Sequence, residues 1–115
     1  MNELFEGPFT VFAPGDRAFR SVSSKLVAAL KKNPYLLRKL LLAHIIPGRV
    51  YASAIMDRLS LNSALRGHPL VFHVNDTEAS VSGAEILSVD IETDNGVIHV
   101  IDSVINPWMV SLVLQ

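Results

Sequence analysis

The order of apolar and polar positions divides the chain into a helical first half and a strand-rich second half. Phe9-Thr10-Val11-Phe12 has the character of a strand, and Pro14-Gly15-Asp16 punctuates it. Asp16 is placed to cap a short turn through Arg17, Ala18 and Phe19, its carboxylate accepting from amides left free at a helix start. Ser23 and Ser24 precede 25–32, where Leu26 and Leu30 repeat at i, i+4 beside Val27; this is the spacing of one helix face. A second helix follows directly. Asn33 offers its cap, Pro34 suits the first helical position, and Leu36/Leu40 with Leu37/Leu41 make an apolar stripe opposite Arg38 and Lys39. His44-Ile45-Ile46 then ends at the turn signal Pro47-Gly48, Val50-Tyr51 resumes extended chain, and Ser53 is placed to cap a brief helix over 54–59.

Beyond Gly67 the pattern changes to strand. Residues 70–74 are rich in β-branched and aromatic types, Asn75-Asp76 turns, 79–81 continues, and 86–93 alternates toward Asn95-Gly96. That dipeptide is the strongest local signal. Asn and Gly tolerate the two positive φ angles of a type I′ turn, and Val97, His99 and Ile101 alternate on its far side, so a β-hairpin is predicted, with Asn95 and Gly96 as structural residues. Pro107 is read as closing the last strand. Trp108 and Met109, followed by Val110, Leu112, Val113 and Leu114, read as a short apolar tail packed over the core. Helices gather first and antiparallel strands follow without a βαβ rhythm, which defines the class as α+β.

Length and composition bound this picture. With 115 residues, half of them apolar and 18% charged, the chain suits one domain, 1–115, with a core of its own. The absence of cysteine removes disulfide frameworks, thiolate metal sites and thiol nucleophiles together. The opening residues lack the basic and apolar regions of a secretory signal, and no apolar run is long enough to span a bilayer. Charge is uneven. All ten basic residues lie between Arg17 and Arg66, and with the four acids of the first 66 positions that part sums to a net +6; from Gly67 onward there are seven acids and no base. The expectation is that the two parts fold against each other and neutralise. No more than two bases are adjacent, which speaks against a nucleic-acid partner.

Three ordered segments then show a family resemblance. The run from Phe9 to Phe19, with Thr10-Val11-Phe12-Ala13-Pro14 followed by Asp16 and Ala18-Phe19, is similar to the first signature box of fasciclin (FAS1) domains. Residues 95–102, Asn-Gly-Val-Ile-His-Val-Ile-Asp, resemble the second box, and 41–48, ending His44-Ile45-Ile46-Pro47-Gly48, resembles the central segment. Ala43 stands where the family commonly has Tyr, and Gly15 where it prefers Thr or Ser. The resemblance implies a wedge of two small, mostly antiparallel sheets with short helices packed on one side. It also implies that the helical segment the family usually carries ahead of the first box is missing or shortened here. The implied role is extracellular or cell-surface adhesion, often in tandem arrays, with integrin contact in animal matrix members attributed to the Tyr-His region and an Asp-Ile pair. Here His44 matches half of the first element and Asp90-Ile91 matches the second.

Candidate chemistry is sparse. There is no Gly-x-Ser-x-Gly elbow, His-Glu-x-x-His pair, phosphate loop or dinucleotide fingerprint. His99 and Asp102 are three apart on a predicted strand and point to opposite faces, which excludes them as a base and its orienting acid. His99, beside Val97 and Ile101, is read as a core histidine with one hydrogen-bond partner. Asp102 is read as a structural acceptor of backbone amides, or of the His44 imidazole. Asp90, Glu92 and Asp94 put three carboxylates on one strand face, which reads as a solvated face; no metal and no cofactor are expected. Asn75-Asp76-Thr77 is a glycosylation sequon at a turn.

Two functional readings result. The first is a non-enzymatic adhesion or interaction module, extracellular, cell-surface or periplasmic, binding a protein or glycan through His44, Tyr51, Asp90 and Ile91, with tandem neighbours or a homodimer as its context. The alternative is a small-ligand or anion-binding domain, hydrolytic or not, in which Arg38, Lys39 or Arg49 converge on His44.

Overall fold

The computed structural model describes residues 7–20 and 22–105. Strand β1 (Phe9–Pro14) leads into three helices, α1 (Asp16–Arg20), α2 (Ser24–Lys32) and α3 (Pro34–Ala43). Six strands follow among the described residues: β2 (Ile45–Pro47), β3 (Ser60–Asn62), β4 (Pro69–Val74), β5 (Ala79–Val81), β6 (Ala84–Thr93) and β7 (Gly96–Ile101). The longer helices begin where their capping residues place them. Ser23 Oγ accepts from the Lys25 and Leu26 amides at 3.1 and 3.4 Å, and the Asn33 side-chain oxygen accepts from the Tyr35 amide at 3.1 Å, with Pro34 opening α3.

Asp16 departs from its expected role. It is the first residue inside α1, and the capping position falls to Gly15, whose carbonyl accepts from Ala18 and Phe19 at 2.9 and 3.3 Å. The brief helix expected over 54–59 is also absent. A 3-10 turn at Ala52–Ala54 takes its place, with no side-chain cap from Ser53. The reason is competition from the sheet: Arg58 donates to the Phe72 carbonyl and Phe72 to the Leu59 carbonyl, both at 2.8 Å, so backbone groups a helix needs are paired with β4.

The strands run β2-β1-β7-β6-β5-β4-β3 in one hydrogen-bonded order. Every pairing is antiparallel save that of β1 with β7, which is parallel from Phe9↔Gly96 to Pro14↔Ile101. The class is α+β. The two small, mostly antiparallel sheets that the resemblance implies are joined in one succession through β6, whose start pairs with β5 and whose remainder pairs with β7. Phe12, Ile46, Leu70, Phe72, Val81 and Ile101 lead the core, with the Phe12 and Phe72 rings 5.7 Å apart.

The β6–β7 hairpin forms, but by a different turn from the one Asn95-Gly96 suggests. Thr93 pairs with Gly96, so Asp94 and Asn95 occupy the bend, and neither Asn95 nor Gly96 has a positive φ. Gly96 instead opens β7 and is buried against β1. A Cβ there would run into the Phe9 carbonyl oxygen and lie 3.0 Å from its carbonyl carbon. The glycine serves close backbone approach, not turn geometry. Strand β7 ends at Ile101, ahead of Pro107, which lies with Trp108 and the apolar tail outside the described residues.

Candidate functional site

Two inward-facing polar side chains organise the surface around the hairpin. Thr10 alternates with Phe12 on the core face of β1 and is fully buried. Its hydroxyl donates to the Gly48 carbonyl and accepts from the Val50 amide, both at 2.7 Å, which pins the turn after Pro47. Gly48 supplies the left-handed φ of +95° that this turn requires. His99 reaches the same interior from β7, flanked by buried Val97 and Ile101 as the alternation predicts, and stacks on Phe12 at 5.2 Å. It has two partners: Nε2 lies 2.7 Å from the Val50 carbonyl, and Nδ1 accepts from the Asp90 amide at 3.1 Å. A carbonyl only accepts and an amide only donates, so the ring is neutral with its proton on Nε2.

Opposite His99 the ladder slips. Ser88 pairs with Val100 and Ile91 with Ile98, which leaves Val89 and Asp90 facing one residue of β7, a β-bulge. Asp90 takes a φ of +60°, its amide turned to His99 and its carboxylate accepting from the Ala52 amide at 2.8 Å. Next along β6, Glu92 accepts from Arg49 at 2.6 Å and from the Tyr51 hydroxyl at 3.1 Å. Arg49 also donates to the Gly96 and Asp94 carbonyls at 3.0 and 3.1 Å. Asp90, Glu92 and Asp94 are exposed, as the solvated face read from the sequence requires, but two of the three also bind across to the neighbouring turn. Asp90 and Glu92 fasten the 49–52 turn to the hairpin, and the Arg49–Glu92 pair joins the basic part of the chain to the acidic part.

The structure thus ties Tyr51 and the adjoining Ala52 to β6 through Glu92 and Asp90, with Asp90 a strut, while Ile91 lies exposed between those two carboxylates along the strand, paired with Ile98. His44 is not part of that surface. It terminates α3, is buried, and spends both nitrogens: Nδ1 lies 2.7 Å from the Leu40 carbonyl and Nε2 accepts from the Ile105 amide at 2.9 Å. Its proton therefore sits on Nδ1, the opposite tautomer to His99. Burial lowers the His44 pKa from its ordinary value, partly opposed by the Leu40 bond. The wall beside it is built from Val11, Phe12, Pro14, Leu40, Ile45 and Val104, none of them basic. Lys39 lies over the Tyr35 ring at 5.9 Å and Arg49 is committed to the hairpin, so the convergence of cations on His44 that an anion site needs is not formed there.

Asp102 accepts backbone protons, as one of its two readings had it: its Oδ1 takes the Glu85 amide at 2.8 Å, and His44 is not its partner. Asn75 Oδ1 accepts from the Thr77 and Glu78 amides at 2.9 Å each, so the sequon asparagine also shapes the exposed β4–β5 turn. Neither buried imidazole meets a carboxylate or hydroxyl among the described residues. Thr10 escaped the sequence reading, while Arg49 entered it only as a cation near His44 and Glu92 only as one of three carboxylates on a strand face, their pairing with each other unforeseen. For Thr10 a signal existed, a hydroxyl on the inward side of a strand next to Phe12; for Arg49 and Glu92, distant in sequence, none did.

Comparison with known proteins agrees with this architecture. The fasciclin domain family matches residues 1–107, and the chain belongs to that family. It is 41% identical over 106 residues to protein sll1483 of Synechocystis sp., covering 90% of this chain and 58% of that protein. It is 34% identical over 110 residues to transforming growth factor-beta-induced protein ig-h3 of Sus scrofa, covering 93% of this chain and 16% of that one. The chain thus spans little more than half of the Synechocystis relative. In fold it resembles a FAS1 domain pair from the insect cell adhesion molecule fasciclin I, with a TM-score of 0.72, 23% identity and coverage of 91% of this chain and 39% of that one. Among the described residues no helix is long and apolar enough to cross a membrane.

Proposed function

We propose that this chain is a non-enzymatic interaction module, displayed at the cell surface, in the extracellular matrix or in the periplasm, that binds a protein partner along β6. The carrying observation is a stiffened strand that carries three exposed large apolar residues within five positions. Leu87, Val89 and Ile91 are 57%, 45% and 42% exposed, side by side with the bulge that His99, Asp90 and Ala52 hold in place. Large apolar side chains presented together on a rigid support are what a protein interface desolvates first. Membership of the fasciclin family and likeness in fold to a domain pair of a cell adhesion molecule support the same reading. The exposed apolar residues favour a protein over a glycan, and Tyr51, tied to Glu92 on the same strand, adds an aromatic side chain with a polar tip.

The test is a capture assay on immobilised extracellular proteins and glycans. Ile91→Asp and Leu87→Asp place charge on exposed positions and are expected to keep the parent's circular dichroism spectrum; each is expected to reduce capture of a protein ligand at least severalfold. Capture equal to that of the unsubstituted chain, or capture confined to glycans, would overturn the proposal. Asp90 is a poor probe, because removing its carboxylate also releases the Ala52 amide.

A further inference from the structure

We infer that the seam where the two ends of the sheet meet is a binding site for a small organic acid, an anionic group on an apolar body, with Arg66 as its charged partner. The strand order begins with β2 and ends with β3, and the chain just past β3 meets β2, where the Ala64 amide donates to the Ile45 carbonyl at 2.7 Å. Two residues along β2 that contact stops. Pro47 has no N–H to extend it, and Gly48 has no side chain to fill the space; a Cβ there or at Gly67 would meet nothing within 4 Å. The result is a hollow of about 590 Å³, within the roughly 300–1,000 Å³ of small-molecule sites.

Pro8, Phe9, Leu42, Pro47 and Ala64 supply its apolar wall, Asn62 and Arg66 add polar side chains, and no acidic residue lines it. Arg66 is exposed and, unlike Arg49, makes no hydrogen bond or ion pair among the described residues, so its guanidinium meets a ligand without breaking a contact. The loop that carries it is braced. Ser63 is buried; its hydroxyl donates to the His68 carbonyl at 2.6 Å and accepts from the Leu65 amide at 3.2 Å, while Gly67 turns with a φ of +83°. The rim at Gly48 is fixed as well, its amide donating to the Pro8 carbonyl at 2.8 Å and its carbonyl accepting from Thr10 at 2.7 Å. A guanidinium with no competing carboxylate beside it selects an anion, because its fork of N–H donors matches carboxylate or phosphate oxygens. The apolar wall selects what that anion is attached to, since covering it with an organic group removes apolar surface from water, a gain an inorganic ion lacks. None of the lining residues belongs to β6, so the site is independent of the protein-binding surface proposed above.

Naphthalene carboxylate, its uncharged carboxamide and inorganic phosphate are the probes, each titrated into the full chain and followed by amide-resolved NMR. The carboxylate is expected to move the amide signals of Leu42, Gly48, Ala64 and Gly67 saturably, the carboxamide to bind severalfold more weakly, and phosphate to leave those signals in place. Arg66→Gln, at an exposed position without a partner among the described residues, is expected to weaken carboxylate binding severalfold and bring it level with the carboxamide. Arg38→Gln, on α3 and away from the hollow, is expected to change nothing. Lack of saturable shifts in the parent chain, equal affinity for carboxylate and carboxamide, phosphate binding as tight as the carboxylate, or indifference to Arg66→Gln would overturn the inference. Shifts centred on other residues would overturn it by moving the site. An equal loss in Arg38→Gln would overturn it by reducing the effect to general attraction of an anion by the basic helices.

Discussion

His44 and His99 are both buried imidazoles, yet their neighbours impose opposite protonation patterns. Each ring sits between one backbone carbonyl and one backbone amide, so each is complete only when neutral. For His44 a pH dependence follows. Burial holds its pKa below the ordinary value in the folded chain, whereas the unfolded chain regains about 6.5. On acidification the unfolded state takes up the proton first. Stability is therefore complete above about pH 6.5 and declines as pH falls toward the lowered folded pKa, before carboxylates titrate near pH 4.5. Urea midpoints measured between these limits should fall in the parent chain and stay nearly level in His44→Gln, which starts from a lower value because a buried bond is lost. An equal slope in both chains would assign the decline to another group.

At the scale of elements, local chemistry carried some segments and failed others. The starts of α2 and α3 were legible because Ser23 and Asn33 cap through amides two or three residues away. The helix expected after Ser53 was not, because its backbone is paired with β4. The β6 bulge was equally hidden. Alternation places Asp90 and Glu92 on one face, and nothing local announces that Asp90 turns to a φ of +60° to serve His99 and Ala52. The bulge predicts a graded series. Asp90→Asn keeps an acceptor for the Ala52 amide and should cost well under 1 kcal/mol, while Asp90→Ala loses it and keeps the unfavourable φ, costing about 1–2 kcal/mol by denaturant unfolding. Equal losses in the two variants would show that the carboxylate-to-amide contact does not hold the bulge.

Across the whole molecule the decisive pairing is β1 beside β7 in parallel, which brings the beginning of the described chain against its end. Gly96 is where that pairing is tightest. Gly96→Ala forces a methyl into the Phe9 backbone and should destabilise by about 3 kcal/mol or more, an effect that thermal or denaturant unfolding reads directly. Unchanged stability would mean that the two strands are further apart than described. The dipeptide Asn95-Gly96 thus marked the right place for the wrong reason. Its position in the pattern located the hairpin, while the need for glycine came from a strand more than eighty residues earlier.

The α+β class, the two capped helices, the hairpin and the inward face of β7 were readable from residue order, because periodicity, capping and turns depend on neighbours a few positions apart. The tautomers of the two imidazoles, the role of Asp90, the pairing of Arg49 with Glu92 and the removal of His44 from the surface arose from folding alone. Each depends on which distant backbone group arrives within hydrogen-bond reach, and that is settled by how the strands are ordered in the sheet.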